Sequence, residues 1–351
     1  MNAIQPAPPL FQAHWDKSFG DYAPSIAKKV ARVAWDVFSI LIPIIALVRF
    51  GIYKLNQRIV REVILPAANQ TREVVDDQRT DFLGLYKTQE EDFPCTMSRH
   101  HVVTPDGVRL NAILFRHREA VADTPTVVYF NPNGATSYAT PYENLLEECW
   151  NREAVCNFAV FDYRGTGDSE GNCRSFDDLV VDGASITQWV RETIGTPSDR
   201  THFYGWSLGA AVAAHVKALD PLATRGLFVS ERSLSSSDDM INAHLSRLRT
   251  LRWNPLPFIQ RLSRWLGQAF DVVPAFQKLV GQRLVVYHRQ DPVIPFAASL
   301  ENRVGRIVHQ TLRLEALEEG PMNHHCMPLN AYRNGETLRP ALAEIGQFLF
   351  T

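Results

Sequence analysis

The sequence has little that would tie it to a metal, a nucleic acid or the core of a bilayer. Its five cysteines, at positions 95, 149, 156, 173 and 326, are odd in number and nowhere spaced as C-x-x-C. That argues against a disulfide framework or a Cys-based zinc site and fits reduced thiols in a cytosol-like compartment. The first residues, MNAIQPAPPLFQAHW, lack a basic stretch followed by an apolar core, so no cleavable secretory signal is expected. Export by a route that needs no such signal stays open. The N-terminal apolar run, residues 37–48 (VFSILIPIIALV), is bounded by Asp36 and Arg49 and interrupted by Pro43. It falls short of the roughly 20 apolar residues a spanning helix needs, which disfavours a transmembrane segment. A net charge of -2 gives no bulk field for nucleic acid, and none is expected as a partner. There is no internal repeat and no low-complexity tract.

What is present is uneven. Residues 1–61 carry eight Lys/Arg against three Asp, while the remainder carries 28 basic against 35 acidic residues. The chain therefore divides into a segment of +5 and one of -7. Residues 24–61 read as helical, and Lys28, Lys29, Arg32, Arg49 and Lys54 flank the apolar run. That run either docks on the remainder of the chain or rests on a membrane surface, giving a peripheral contact through residues 28–61. The expected organisation is a helical, partly apolar N-terminal extension over 1–97 and a main domain over 98–351.

From residue 98 the pattern changes. Two extended runs flank Asp106-Gly107, which predicts an antiparallel hairpin. Apolar runs rich in β-branched and aromatic residues follow at 126–130, 157–163, 201–206, 226–230, 283–288 and 310–317. Helical stretches near 141–150, 177–194, 208–219 and 336–350 alternate with them. Strands apolar on both faces, alternating with helices, predict a mostly parallel central sheet with helices on both faces. Residues 232–280 break the alternation with amphipathic helices carrying Leu245, Leu248, Trp253, Leu256, Phe258, Ile259, Leu262, Trp265, Leu266 and Phe270. Such an insert is expected as a lid over the strand C-termini, where these sheets bind ligands. An ordinary helix with a core-facing apolar side would carry the same pattern.

Residues 205–209, GWSLG, form G-x-S-x-G. Five residues alone say little, but this motif follows the strand THFYGW and opens the helix LGAAVAAHVKAL. That is the strand–turn–helix of a nucleophile elbow, with Ser207 at its apex. A serine needs a base and a group to orient that base, and such an elbow is followed in chain order by an acid and then a histidine. Asp291 lies in YHRQDPVIP, directly after a predicted strand. His324 and His325 both lie in GPMNHHC, the loop after the last strand of the alternation. One of the two is expected as the base, with His324 preferred, and the other as its neighbour. A metal on His324, His325 and Cys326 is disfavoured, because adjacent side chains rarely converge on one ion. Acyl transfer also needs amides for an oxyanion, and the candidates are Leu208 and the turn at 131–134, NPNG. Pro132 has no N–H, so Asn133 or Gly134 must donate. The glycines of residues 161–171, FDYRGTGDSEG, fall as G-x-G-x-x-x-G and miss the dinucleotide fingerprint. They read instead as a turn bracing the active-site loops.

These motifs together resemble the α/β-hydrolase superfamily over residues 98–351. More narrowly, NPNG, the YRGTGDSEG turn and SERSLSS at 230–236 resemble the chlamydial-type α/β hydrolases. Those occur among bacterial pathogens, some as secreted effectors, and often carry an apolar N-terminal segment. The resemblance implies an α/β-hydrolase fold and a serine hydrolase that needs no metal or organic cofactor, acting on a small-molecule or lipid acyl substrate. Two other classes remain at this stage. One is an acyltransferase on the same triad; the other is a non-catalytic scaffold that binds a membrane or partner.

Overall fold

The computed structural model describes residues 43–89, 94–139, 142–220, 225–246, 254–305, 310–317 and 323–350. The chain divides into two compact units, residues 1–59 and 60–351. In the first, helix α1 spans Pro43–Ile59. Half of the 37–48 run (residues 37–42), and Lys28, Lys29 and Arg32, lie outside the described residues. Among the described residues no helix is long and apolar enough to cross a membrane.

The second unit begins with a π-helical turn at Val60–Ile64 and helix α2 at Arg72–Gln89. Nine strands then build one sheet: β1 (Cys95–Val103), β2 (Arg109–His117), β3 (Thr126–Phe130), β4 (Asn157–Phe161), β5 (Thr201–Trp206), β6 (Phe228–Glu231), β7 (Arg283–Tyr287), β8 (Gln310–Ala316) and β9 (Tyr332–Asn334). Their order is β1-β2-β4-β3-β5-β6-β7-β8-β9. The pairs β1–β2, β2–β4 and β8–β9 are antiparallel and the rest are parallel. Every residue of β3, β4 and β5 is buried, which is why these strands read as unbroken apolar runs. The short strand β9 was not legible, since three residues give no period to read.

Helices α3 (Glu143–Asn151), α4 (Phe176–Ile194) and α5 (Leu208–Ala218) alternate with the parallel strands. All but the last residue of α5 are buried, and its small side chains let it lie close to the sheet. The insert holds α6 (Ser237–His244), α7 (Leu256–Trp265) and α8 (Val272–Lys278). Ser236 caps α6 by accepting the Asp239 N–H, and Asp271 caps α8 by accepting the Val273 N–H. Phe270 stacks on Phe176 at 4.1 Å, and the Gln268 amide donates to the Arg174 carbonyl, which lays the insert against the start of α4. At its other side the His244 ring bonds the Val293 carbonyl, two residues beyond Asp291. The insert thus lies at the C-terminal edge of the sheet. Leu248 and Trp253 fall outside the described residues. Leu256 and Leu266 are buried, whereas Phe258 and Trp265 are 59% and 64% exposed. Helices α9 (Leu300–Val304) and α10 (Ala341–Phe350) complete the unit.

Residues 60–89 pack onto the sheet. The Ala67 N–H donates to the Asn133 carbonyl, and Phe82 meets the Phe115 ring edge-on. Arg72 and Arg79 of α2, together with Arg99 of β1 and the Tyr138 hydroxyl, converge on Asp168 in the Gly-rich turn. Burial pushes the Asp168 carboxyl up, but the Tyr138 hydroxyl and the Arg79 guanidinium outweigh it and hold it below the usual range. In the same turn the buried Arg164 bonds Asp182 and Asp106. These contacts fit the structural reading of the turn.

Candidate active site

Ser207 stands between β5 and α5 with φ 56° and ψ -122°, a conformation L-residues rarely adopt. Its strain is held in place by neighbours. The Ser207 N–H donates to the Glu231 carbonyl at the end of β6, and its own carbonyl accepts from Ala210 N–H and the Ser233 hydroxyl. The glycines on either side leave no room for anything larger. A Cβ on Gly205 would stand 2.3 Å from the Ala210 Cα, and one on Gly209 would stand 2.1 Å from the Phe130 carbonyl oxygen. This is the tight elbow expected of G-x-S-x-G.

The loop after β7 carries Asp291. Its Oδ1 accepts the N–H groups of Val293 and Ile294, both at 2.8 Å. That leaves Oδ2 aimed at His325 Nδ1, 2.7 Å away. His325 Nε2 in turn lies 2.9 Å from Ser207 Oγ. Serine, imidazole and carboxylate are 4%, 5% and 5% exposed, so the chain of bonds is shielded from water. A shielded pair of this kind is electrostatically stronger than the same pair in water.

The preference for His324 does not hold. His324 points the other way: its ring stacks on His288 at 3.9 Å and its Nδ1 bonds the Tyr332 hydroxyl at 3.2 Å. Adjacent residues of a tight loop send their side chains in different directions, and only one of the two can reach Ser207. His288 is itself held neutral; burial, with His324 beside it, lowers its pKa to about 4.

The oxyanion candidates lie on two segments that are themselves closely packed. The Gly209 approach to Phe130 and Asn131 sets the first turn of α5 against the end of β3. Leu208 opens that turn, and residues 131–134 continue from that strand. The Ala135 N–H closes the NPNG turn on the Pro132 carbonyl at 3.4 Å. Among the described residues, neither the Leu208 nor the Asn133 N–H has an acceptor within the chain. Gly134 is exposed at the tip of the turn.

Comparison with known proteins agrees with this architecture. Residues 130–330 match the model described as the alpha/beta hydrolase family, and residues 11–226 match the one described as Chlamydia CHLPS protein (DUF818). Each match takes in more than half of the chain. The chain belongs to the α/β-hydrolase family. Among curated relatives, the protein bem46 of Schizosaccharomyces pombe is 25% identical over 203 residues, 54% of this chain and 66% of that protein. The match thus spans just under two thirds of that relative's length. Among solved structures, an alpha-beta hydrolase from Vibrio vulnificus superposes with a TM-score of 0.54 at 14% identity, covering 78% of this chain and 86% of that one. An esterase of Pyrococcus furiosus aligns over 64% of this chain and 82% of its own, with a TM-score of 0.46 and 16% identity. The family supports hydrolase chemistry in general terms.

Within this α/β-hydrolase site, sequence reasoning missed Glu231 and Arg232. They were visible only as part of the SERSLSS resemblance. Their position directly after a strand next to the elbow strand was the available signal, because that is where side chains reach a sheet's C-terminal edge.

Proposed function

We propose that the protein is a serine hydrolase that cleaves an ester through an acyl-enzyme. Ser207 Oγ attacks the carbonyl carbon while His325 Nε2 takes its proton. Asp291 holds the imidazole in the required tautomer and offsets its positive charge. The Leu208 and Asn133 amides bind the oxyanion, and the tetrahedral intermediate collapses with His325 returning the proton to the leaving alcohol. Water, deprotonated by the same imidazole, then releases the acid and frees Ser207. The single observation that carries this reading is the continuous pair of bonds, 2.9 Å and 2.7 Å, from Ser207 through His325 to Asp291.

The exposed stripe on α7 favours an apolar acyl or lipid substrate. Phe258, Arg261 and Trp265 are spaced to share one helix face, all exposed, at the edge that bears the site. Aromatic rings with a cationic side chain suit the boundary of an anionic lipid surface.

Hydrolysis of esters of graded chain length, by wild type and Ser207→Ala, with and without liposomes, tests both parts. The proposal expects a fluorophosphonate probe to label the wild type alone, and rates that rise with chain length or lipid. Equal rates for the two proteins would remove Ser207 from the mechanism. Flat chain-length dependence without a liposome effect would remove the lipid substrate.

A further inference from the structure

The side chain of Arg232 lies among the elements of the site without touching the reacting atoms. Its backbone has φ 45°, uncommon for a residue with a Cβ, and its N–H donates to the Val286 carbonyl of β7 at 2.7 Å. The guanidinium is turned into the protein, and the residue is 3% exposed. There Nη1 donates to two carbonyls, His324 at 2.8 Å and Met327 at 2.7 Å. These flank His325 on either side. Nη2 pairs with the Glu231 carboxylate, whose other oxygen accepts the Tyr204 hydroxyl at 2.5 Å. The guanidinium also lies over the Trp206 ring at 5.2 Å and the Tyr332 ring at 5.8 Å.

Two consecutive residues therefore reach both halves of the site. The Glu231 carbonyl holds the amide of Ser207, and the Arg232 fork ties down the loop that presents His325. Besides Arg232, the described part of the loop is anchored by the Tyr332 hydroxyl on the His324 carbonyl and by the side chains of His324 and His325. The Met327 and Cys326 N–H groups return to the Asn323 carbonyl, and the His325 N–H goes to the Asn323 side chain. These last bonds lie within the loop and hold it together as a body without fixing it to the sheet. Arg232 ties that body to β6.

We infer that Arg232 is a positioning residue that sets the distance between His325 and Ser207, with Glu231 as its counter-ion. This rests on the triad assignment above. A planar guanidinium that bonds the loop carbonyls through Nη1 and the Glu231 carboxylate through Nη2 fixes a direction as well as a distance, which a freely rotating ammonium cannot do. Proton transfer from Ser207 depends steeply on that distance, and a misplacement of about 1 Å can cost roughly 100-fold in rate.

The test compares wild type, Arg232→Met, Arg232→Lys and Ser207→Ala. It uses a soluble ester assay, the rate of fluorophosphonate labelling, thermal unfolding and the low-field proton resonance of the imidazole Nδ1–H. The expected result for Arg232→Met is a fall in kcat and labelling of roughly 100-fold with KM changed little, and a shifted or broadened imidazole resonance. Arg232→Lys should recover part of the rate, since an ammonium keeps the charge beside Glu231 and can still donate to the loop, but cannot bridge the carboxylate and the carbonyls in one plane. If Arg232→Met does not fold, Arg232→Lys carries the test alone: its kcat must fall, with KM near the wild-type value. A folded variant with wild-type kcat, or one that loses stability and keeps its rate, would overturn the inference. Activity retained by Ser207→Ala would instead remove the triad reading beneath it, so the two failures are distinguishable.

Discussion

Replacing the two adjacent histidines one at a time separates a catalytic base from its neighbour. His325→Ala removes the only imidazole among the described residues that reaches Ser207, 2.9 Å away, and leaves the Asp291 carboxylate without its partner. Loss of the base in a serine triad costs about 10⁴ to 10⁶ in kcat, or roughly 5 to 8 kcal/mol of transition-state stabilisation. His324→Ala removes a hydrogen bond to Tyr332 and a ring contact with His288. A neutral hydrogen bond is worth about 1 kcal/mol and a ring pair about 0.5–1.5 kcal/mol. That loss falls on the stability of the loop, and kcat should stay within about tenfold of wild type, because no bond to Ser207 or Asp291 goes with it. Initial rates on a soluble ester, with thermal unfolding measured on the same preparations, give both quantities. The reasoning is refuted if His324→Ala loses as much activity as His325→Ala while remaining folded.

Three further outcomes are expected. His202 is 6% exposed, its Nδ1 accepts the Leu227 N–H at 3.1 Å, and burial lowers its pKa to about 4. The unfolded chain takes up this proton near pH 6.5 and the folded one only near 4, so this contribution is intact above 6.5 and is lost as the pH falls toward 4, by at most about 3 kcal/mol; urea unfolding at pH 7 and pH 5 should show a smaller acid loss in His202→Gln, and an unchanged loss would count against it. Gly209→Ala would place a methyl against two backbone carbonyls that cannot withdraw, so about 3 kcal/mol of stability and the probe reaction should go together; a stable, fully labelled variant would contradict that. Arg164→Met would strand the fully buried Asp182, whose carboxyl burial already lifts to about 6 despite Arg164, at a cost of about 3–5 kcal/mol in chemical unfolding; a loss under about 1 kcal/mol would show the pair to be dispensable.

Much of the fold was legible because it is periodic. The runs at 126–130 and 201–206 are apolar on both faces, and they became β3 and β5 with the bounds the sequence suggested. The elbow was legible for a related reason: its small residues answer to close approach of backbone, which leaves a mark on residue type. Asp291 followed from its place after a strand. The loops carried no such mark. Nothing in NHH distinguishes one imidazole from the other, since a loop has no repeat to assign a direction to a side chain. Residues 60–89 were likewise expected with the N-terminal extension, because a helix reveals its own apolar face but not the surface it meets.

The amino-acid sequence by itself determined the alternation of strands and helices, and the order Ser, Asp, His along it, since these follow from hydrophobic period and chain order. The tertiary structure alone decided that His325 faces Ser207 and that Arg232 holds its loop. Those depend on contacts between residues tens of positions apart, and only the closed fold sets their directions.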